Sequence, residues 1–405
     1  MLHINDLTYR VEGRLLFDGA TASVPTGHKV GLVGRNGTGK TTLLKLIAGE
    51  IAADGGGTSL PRAARIGIVR QEAPGDQRRL IDFVLEADQE RTTLLAESET
   101  ADDPHRIADI QLRLTDIGAF DAPARAATIL AGLEFNEAAQ ARPLAEFSGG
   151  WRMRVALAAL LFSQPDLLLL DEPTNYLDLE GALWLEAYLR RYPHTVVIVS
   201  HDRDLLNRAV TGILHLEQRK LTYYTGGYDR FERTRRERQA LQLNLKRKQD
   251  DARRHMESYI NRFRAQATKA RQAQSRIKAL ERMQPIPDLI EERIKPFNFP
   301  SPEKHLAPPL LVLDDVVAGY GDDAIVLRGV NLRLDSDDRI GLLGANGNGK
   351  STLAKLLAAR LAPMAGVRRG DRRMRIGFFA QHQLDELVPD DTPYDHVRAL
   401  MADAT

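Results

Sequence analysis

Two copies of one glycine-rich pattern, G-x-x-x-x-G-K-[ST], constrain this chain more than any other feature. The first copy runs from Gly34 to Thr41 and the second from Gly344 to Ser351. Each follows a short apolar run, 30–33 or 340–343, which predicts a strand, and each precedes a helical pattern. Glycines in such a loop let backbone N–H groups surround phosphate oxygens, and the lysine reaches the terminal phosphates. The sequence therefore predicts two phosphate-binding loops, each between a strand and a helix.

Composition limits the kinds of protein this chain can be. Its 405 residues, 43% of them hydrophobic, suffice for two or three domains with sizeable cores. Because cysteine is absent, disulfides, thiolate zinc sites and cysteine nucleophiles are excluded, as expected in a reducing compartment. The N-terminus lacks the basic segment followed by an apolar core that marks a signal peptide, and no apolar stretch approaches the length of a membrane span. We predict a soluble, cytoplasmic protein without stable membrane association.

The two loops belong to a duplicated domain. They begin 310 residues apart, at Gly34 and Gly344, and Gln71 in Ile-Gly-Ile-Val-Arg-Gln has the same offset to Gln381 in Ile-Gly-Phe-Phe-Ala-Gln. Prolines concentrate between 285 and 309 and predict a linker into the second copy. The predicted segments are a first domain over 1–230, a basic helical linker over 231–307, and the N-terminal part of a second domain over 308–405.

Strand-like and helical runs alternate in the first copy. The apolar runs at 30–33, 167–170 and 196–199 alternate with helical patterns, which is typical of an α/β fold with a parallel sheet. Residues 78–146 are rich in Ala, Leu, Glu and Arg and predict a helical insertion.

Polar side chains follow two of these predicted strands. Asp171 and Glu172 end the first of them, where adjacent carboxylates are costly unless they meet a cation. We expect Asp171 to bind Mg²⁺ and Glu172 to polarise an attacking water. His201 follows the next strand, at the sheet edge where ligands of open α/β folds bind, and is expected to contact the γ-phosphate.

The order of these motifs, with Ser148-Gly149-Gly150 opening a helical stretch, resembles the ATP-binding cassette family over essentially the whole chain. By that resemblance Gly34 to Thr41 is a Walker A motif, Ser148 to Gly150 the signature, Leu167 to Glu172 the Walker B motif, and Asn175 to Asp178 the D-loop. The implied fold is an α/β P-loop NTPase domain, or cassette, with a helical subdomain, followed by a long helical-hairpin linker and a partial second cassette.

The resemblance also implies roles for individual residues, with ATP and Mg²⁺ as cofactors. Three residues are implied to be catalytic: Glu172, His201 and Gln71. The implied Mg²⁺ ligands are Thr41, Gln71, Asp171, Ser351 and Gln381. The implied ATP-binding residues, with Tyr9 and Tyr320 stacking on adenine, are Tyr9, Gly34, Asn36, Gly37, Gly39, Lys40, Thr41, Thr42, Ser148, Gly149, Gly150, Tyr320, Gly344, Asn346, Gly347, Gly349, Lys350, Ser351 and Thr352.

Two cassettes in one chain, a signature written Phe-Ser-Gly-Gly-Trp-Arg-Met-Arg and a basic linker resemble the ABC-F family of ribosome-associated ATPases. The linker segment 259–276 is similar to the YheS-type subgroup in particular. Tyr176 departs from the D-loop pattern of the family, which usually has histidine there.

The positive charge of this chain is concentrated in the linker. Between Phe231 and Gln284 it has 16 Lys and Arg against 6 Asp and Glu, although the net charge of the whole chain is only +1. A solvated coiled-coil face is one explanation; contact with RNA phosphates is the other, because coiled-coil faces usually mix both signs. The residues expected to contact RNA are Arg262, Arg264, Lys269, Arg271 and Arg276. The resemblance implies the ribosome as partner, through ribosomal RNA at the E site and P-site tRNA.

The first function hypothesis is an ATP-gated translation factor that hydrolyses ATP to ADP and phosphate. The alternatives are an ATPase subunit of a membrane transporter and a nucleotide-dependent RNA- or ribosome-binding protein with little hydrolysis. The 310-residue offset places the second signature, glutamate and histidine beyond Thr405. We therefore expect this chain to bind Mg-ATP but to hydrolyse it slowly as a monomer, unless two copies pair head to tail through their first cassettes.

Overall fold

The computed structural model divides the chain into two compact units, residues 1–294 and 295–405, and each is described by itself. The structure describes residues 1–69, 73–263, 275, 277–278, 280, 282, 306–321, 324–344, 346–371, 373–379, 387–389 and 391–400.

The first unit begins with a small antiparallel sheet of three strands in the order β2-β1-β4. Its strands are β1 (Leu2–Val11), β2 (Arg14–Val24) and β4 (Gly55–Ser59). Between β2 and β4 lie β3 (Lys29–Gly34) and helix α1 (Lys40–Ile47), which flank the first phosphate loop.

A second sheet forms the centre of this unit, in the order β5-β6-β7-β3-β8-β9. Its pairs are parallel except for the hairpin of β8 and β9. Besides β3 its strands are β5 (Ile66–Ile68), β6 (Leu167–Asp171), β7 (Thr195–Val199), β8 (Gly212–Glu217) and β9 (Lys220–Thr225). The continuous apolar runs in β6 and β7 are typical of parallel strands covered on both faces, which confirms the predicted α/β fold with a parallel sheet.

Side chains of each central strand alternate between two cores, one on each face of the sheet. In β6, Leu168 and Leu170 join one core while Leu167 and Leu169 join the other. Strand β7 divides in the same way, because successive side chains of a strand point to opposite faces. This burial holds the carboxyl ends of β6 and β7 in place.

Helices cover the sheet and form the predicted helical insertion. Five of them fall between residues 78 and 146: α2 (Leu80–Glu86), α3 (Gln89–Thr100), α4 (Pro104–Asp116), α5 (Ala122–Gly132) and α6 (Glu137–Gln140). The others are α7 (Gly149–Ser163), α8 (Leu179–Arg191), α9 (Arg203–Arg208) and α10 (Tyr228–Phe263). Aspartates cap several of them; Asp202, for example, accepts hydrogen bonds from the backbone N–H groups of Asp204 and Leu205.

The second unit repeats the small antiparallel sheet, in the order β11-β10-β12. Its elements are β10 (Leu311–Gly319), β11 (Ile325–Leu334), α11 (Lys350–Leu357), β12 (Ala365–Gly370) and α12 (Pro393–Leu400).

The strand predicted at 340–343 is not present in the structure. Ile340, Leu342 and Leu343 are 60%, 46% and 86% exposed and lie outside any strand. The corresponding strand of the first unit, β3, pairs with β7 and β8, whereas the described residues of the second unit contain no parallel strand. An apolar run without a hydrogen-bonding neighbour cannot form a strand, and this explains the failed prediction.

Candidate functional site

The first phosphate loop joins β3 to α1 with a backbone that requires glycine. Gly39 precedes α1 with a φ of 102°, in the left-handed region. A Cβ at this position would lie 3.2 Å from Phe17 Cζ, so that space is short as well. The helix that follows directs the positive end of its dipole toward the loop.

Lys40 lies across the mouth of this loop. Its Nζ donates hydrogen bonds to the backbone carbonyls of Gly34, at 3.0 Å, and Arg35, at 3.2 Å. An ammonium held by neutral carbonyls can exchange them for phosphate oxygens, because charge-assisted hydrogen bonds are the stronger ones.

Two neighbouring strands bring Glu172 and His201 together. Residues Asp171 of β6 and Val199 of β7 pair in parallel register, and the backbone N–H of Glu172 donates to the Val199 carbonyl at 2.8 Å. Glu172 Oε2 accepts a hydrogen bond from the His201 backbone N–H at 3.2 Å, and His201 Nε2 lies 3.1 Å from Glu172 Oε1. This contact does not satisfy Oε1, which is buried and accepts no hydrogen bond from the described residues.

These residues line one groove of about 600 Å³. From the phosphate loop and α1 the lining includes Asn36, Gly37, Gly39, Lys40, Thr41 and Thr42, and from the strand ends Asp171, Glu172 and His201. The structure thus brings these six predicted ATP-binding residues together with Asp171, Glu172 and His201. The volume of this groove is in the range of small-molecule binding sites.

The donors in the groove fit a hard divalent cation. The Thr41 hydroxyl and the Asp171 carboxylate line the same groove, and a second cavity of about 370 Å³ is lined by the same two residues. Oxygen donors of this kind are the ligands that Mg²⁺ prefers. Glu172 lines both cavities as well, and its Oε1 accepts no hydrogen bond from the described residues.

Tyr9 is placed away from this groove. Its side chain is half-buried and packs against the core that contains Phe17. The end of the same sheet contributes Val11, Glu12, Arg14 and Leu16 to the groove instead.

The signature residues lie apart from the groove of their own unit. Ser148 precedes α7 and its hydroxyl makes no capping hydrogen bond. Neither Ser148 nor Gly149 nor Gly150 lines either cavity beside Thr41.

One buried arginine of α7, the helix that begins at the signature, was not predicted from the sequence motifs. Arg154 is 3% exposed; its Nη1 lies 2.6 Å from Glu134 Oε2, and its Nε donates to the backbone carbonyl of Tyr176 in the D-loop. The guanidinium carbon also lies 4.3 Å from the Trp151 ring centroid, and burial lowers the pKa of Arg154. A cation between apolar neighbours in the α7 sequence was the available signal. Arg154 therefore connects the signature helix, the helical insertion and the D-loop.

The second phosphate loop has the same local geometry as the first. Lys350 Nζ donates to the Gly344 carbonyl at 2.6 Å and lies 3.4 Å from Asn346 Oδ1. Gly349 precedes α11 in the left-handed region, with a φ of 80°. Ser351 is exposed and Thr352 is buried in the first turn of α11, where Thr352 Oγ1 lies 3.5 Å from the Tyr320 hydroxyl. Gly347 of the loop has a left-handed backbone, with a φ of 87°.

Several predicted site residues lie outside the described residues. These are Gln71, Gln381, Arg264, Lys269, Arg271 and Arg276. Arg262 belongs to α10, but its side chain is not described. Their roles remain predictions.

A protein-family model described as ABC transporter matches residues 17–175 and 327–403, more than half of the chain. The chain belongs to the ATP-binding cassette family. A second family model with the same description matches residues 214–299, which include α10. In the described part of this cassette protein no helix is long and apolar enough to cross a membrane.

Known relatives place this cassette protein in subfamily F, which confirms the resemblance seen in the motifs. "Probable ATP-binding protein YheS" of Escherichia coli is 46% identical over 99% of this chain and 63% of that protein. "ABC transporter F family member 3" of Arabidopsis thaliana is 40% identical over 97% of this chain and 58% of that protein. "ATP-binding cassette sub-family F member 3" of Homo sapiens is 41% identical over 92% and 54%. The chain thus spans less than two thirds of the length of these relatives.

Proposed function

We propose that this chain binds Mg-ATP at both phosphate loops and hydrolyses it to ADP and phosphate at the first. The observation that carries the proposal is the convergence of Lys40, Thr41, Asp171, Glu172 and His201 on one groove. A lysine, two oxygen donors for a cation and a hydrogen-bonded carboxylate are the parts that phosphoryl transfer to water needs.

Glu172 is the proposed general base. Its side chain is 19% exposed, the His201 backbone N–H holds one carboxylate oxygen, and the other accepts no hydrogen bond from the described residues, so the carboxylate keeps capacity to accept the proton of a water molecule. In the reaction this water attacks the γ-phosphorus, its proton passes to Glu172, and the bond to the β-phosphate oxygen breaks to release ADP. Lys40 binds the phosphate oxygens on which negative charge develops.

Magnesium would be held by Thr41 and Asp171 in this groove. When bound, it supplies positive charge to the phosphate oxygens.

We further propose that the protein is an ATP-gated, cytoplasmic translation factor that binds the ribosome at the E site, with its linker toward P-site tRNA. The charge of the linker supports RNA as a partner: 16 basic residues stand against 6 acidic ones between Phe231 and Gln284. Three of these acids in α10, Glu232, Asp251 and Glu257, are paired with arginines of the same helix. A large basic excess is left for phosphate contacts.

Sedimentation with ribosomes tests this proposal. Glu172→Gln keeps the groove but removes the base, so with Mg-ATP this variant is expected to remain on ribosomes, and its retention should decrease as salt is raised. Glu180→Gln, an exposed glutamate in the first turn of α8, is the matched control and should dissociate like the unaltered protein.

Three other results would each reject a part of the proposal. Absence of the Glu172→Gln variant from ribosomes at every salt concentration would reject the translation-factor role. Binding to a membrane transporter complex would favour the transporter subunit. Ribosome binding with ATP turnover equal in both glutamate variants would favour a binding protein with little hydrolysis.

A further inference from the structure

The two antiparallel sheets have the same pairing register, and it aligns the two units residue by residue. Residues of β1 and β10 correspond with a shift of 309, while residues of β2 and β11 correspond with a shift of 310. Four residue pairs of the first sheet correspond to four of the second: Leu2–Val24 to Leu311–Leu334, Ile4–Ala22 to Leu313–Leu332, Leu7–Ala20 to Val316–Val330, and Tyr9–Phe17 to Ala318–Leu327.

An irregularity in the first strand of each sheet confirms this shift. Asp6 and Asp315 both have a left-handed backbone, with φ of 51° and 47°. At both places a glycine approaches the strand closely: a Cβ on Gly56 would lie 2.3 Å from the Asp6 carbonyl oxygen, and one on Gly366 would lie 2.2 Å from that of Asp315. By this shift Tyr9 corresponds to the buried Ala318, and Val11 corresponds to Tyr320.

Tyr320 stands beside the second phosphate loop as an aromatic platform. Its hydroxyl lies 3.5 Å from Thr352 Oγ1 in the first turn of α11, and Lys355 Nζ lies 5.5 Å from the ring centroid. The residue is 50% exposed, so one part of the ring contacts this turn while the rest is open to a ligand. A nucleobase can stack on such a ring.

The corresponding place in the first unit has no such ring. Val11 is 40% exposed and lines the groove with Leu16, Glu12 and Arg14. Among the described residues that line this groove, the only aromatic side chain is His201, beside Glu172. Two aliphatic side chains and a guanidinium offer contact to any base, because every base has a flat face that Arg can cover.

We infer that the first phosphate loop accepts nucleoside triphosphates with little selectivity for the base, whereas the second favours purines through Tyr320. This inference rests on the proposed function, since it requires both loops to bind triphosphates. At the first loop the affinity comes from phosphate contacts of Lys40 and the loop backbone, which are the same for every nucleotide. At the second, the larger purine face gains more from stacking.

Each loop can be examined in the full chain after the lysine of the other is replaced. In Lys350→Ala protein, dissociation constants for ATP, GTP, CTP and UTP measured by titration calorimetry with Mg²⁺ should agree within about threefold. In Lys40→Ala protein, ATP and GTP should bind at least about fivefold more tightly than CTP and UTP, as expected for stacking worth roughly 1 kcal/mol or more.

Exchanging the two side chains should exchange the behaviour. Val11→Tyr in the Lys350→Ala protein should tighten ATP binding at least about fivefold, and Tyr320→Val in the Lys40→Ala protein should abolish the purine preference. Val367→Tyr is the matched control, because Val367 is 41% exposed on the sheet of the other unit. Circular dichroism checks that each variant is folded, and Val11→Phe replaces Val11→Tyr if the latter is not.

The outcomes separate this inference from the proposed function. A preference of the Lys350→Ala protein for ATP over CTP of more than about tenfold overturns the inference, as does an unchanged ATP affinity in folded Val11→Tyr and Val11→Phe proteins. Failure of the unaltered chain to bind any triphosphate instead overturns the proposed function.

Discussion

Replacing Arg154 with methionine should destabilise the first unit strongly. The substitution keeps most of the side-chain volume but removes the partner of Glu134 Oε2 and the donor to the Tyr176 carbonyl. Glu134 would remain in a site where its side chain is only 18% exposed. A charge left there without its partner is costly because water cannot replace the lost contact.

The size of the effect follows from burial. Breaking a buried ion pair by removing one partner costs about 3–5 kcal/mol, whereas an exposed pair is worth at most about 1 kcal/mol. Because Glu134 keeps some contact with solvent, we expect the free energy of unfolding to fall by about 3 kcal/mol, the lower part of that range. Arg113→Met is the matched control: Arg113 also lies 2.6 Å from a glutamate, Glu90, but the two side chains are 52% and 45% exposed.

Urea unfolding at 25 °C measures this difference. The chain has two tryptophans, Trp151 and Trp184, and both belong to the first unit, so fluorescence reports that unit. Since Trp151 contacts Arg154, circular dichroism should be recorded in parallel. The dependence on urea should be unchanged, so that the shift in midpoint reflects stability alone.

A double-mutant cycle identifies the source. If the pair with Glu134 carries the effect, the double variant with Glu134→Gln should be more stable than the sum of the single changes implies, by at least about 1 kcal/mol. A loss below about 1 kcal/mol in Arg154→Met, or additive single changes, would refute the reasoning.

Three further outcomes are expected. Burial lowers the pKa of His215 to about 4; the charge of Arg235 lowers this pKa further, while the charge of Glu217 opposes the shift. Because the imidazole of the unfolded chain titrates near pH 6.5, the free energy of unfolding should fall by up to about 3 kcal/mol as the pH is lowered from 6.5 to 4. Equilibrium unfolding of His215→Phe protein should not show this dependence on pH. Asp103 caps α4 by accepting a hydrogen bond from the His105 backbone N–H. The free energy of unfolding of Asp103→Ala, measured by heat or urea, should therefore be about 1 kcal/mol lower, and an unchanged midpoint would show that the cap does not contribute to stability. Glu172→Gln protein with Mg-ATP should sediment at twice the monomer mass if two copies pair through their first cassettes; a monomer at all concentrations contradicts that pairing.

The sequence predicts local motifs, helices and strands better than it predicts the tertiary contacts between them. The strand–loop–helix context of Lys40 and the carboxyl ends of β6 and β7 follow from short-range patterns, and the structure joins them because adjacent parallel strands end at the same edge. Tyr9 and Val11 could not be told apart in this way, because the connection from Gly319 to Ile325 is one residue longer than that from Arg10 to Leu15, so that the offset changes from 309 to 310, and only strand pairing reveals this change.

Two other features depend on distant partners. The apolar run 340–343 resembles a strand, but the strand requires neighbours that the described residues of its unit do not supply. Arg154 belongs to the signature helix, while Glu134 and Tyr176 come from segments 20 and 22 residues away. Such a contact follows from tertiary packing and not from any periodicity within α7.

Single-turnover hydrolysis of ATP by the unaltered chain, Glu172→Gln and Glu180→Gln tests the central claim most directly, with Mg²⁺ present and protein in excess over ATP. If the groove of Lys40, Asp171 and Glu172 performs the reaction, Glu172→Gln should bind ATP with unchanged affinity while the rate of phosphate release falls by about 10² to 10⁴. The Glu180→Gln protein should react like the unaltered chain. Equal rates in all three proteins would contradict the assignment of Glu172 as the base and of this groove as the catalytic site.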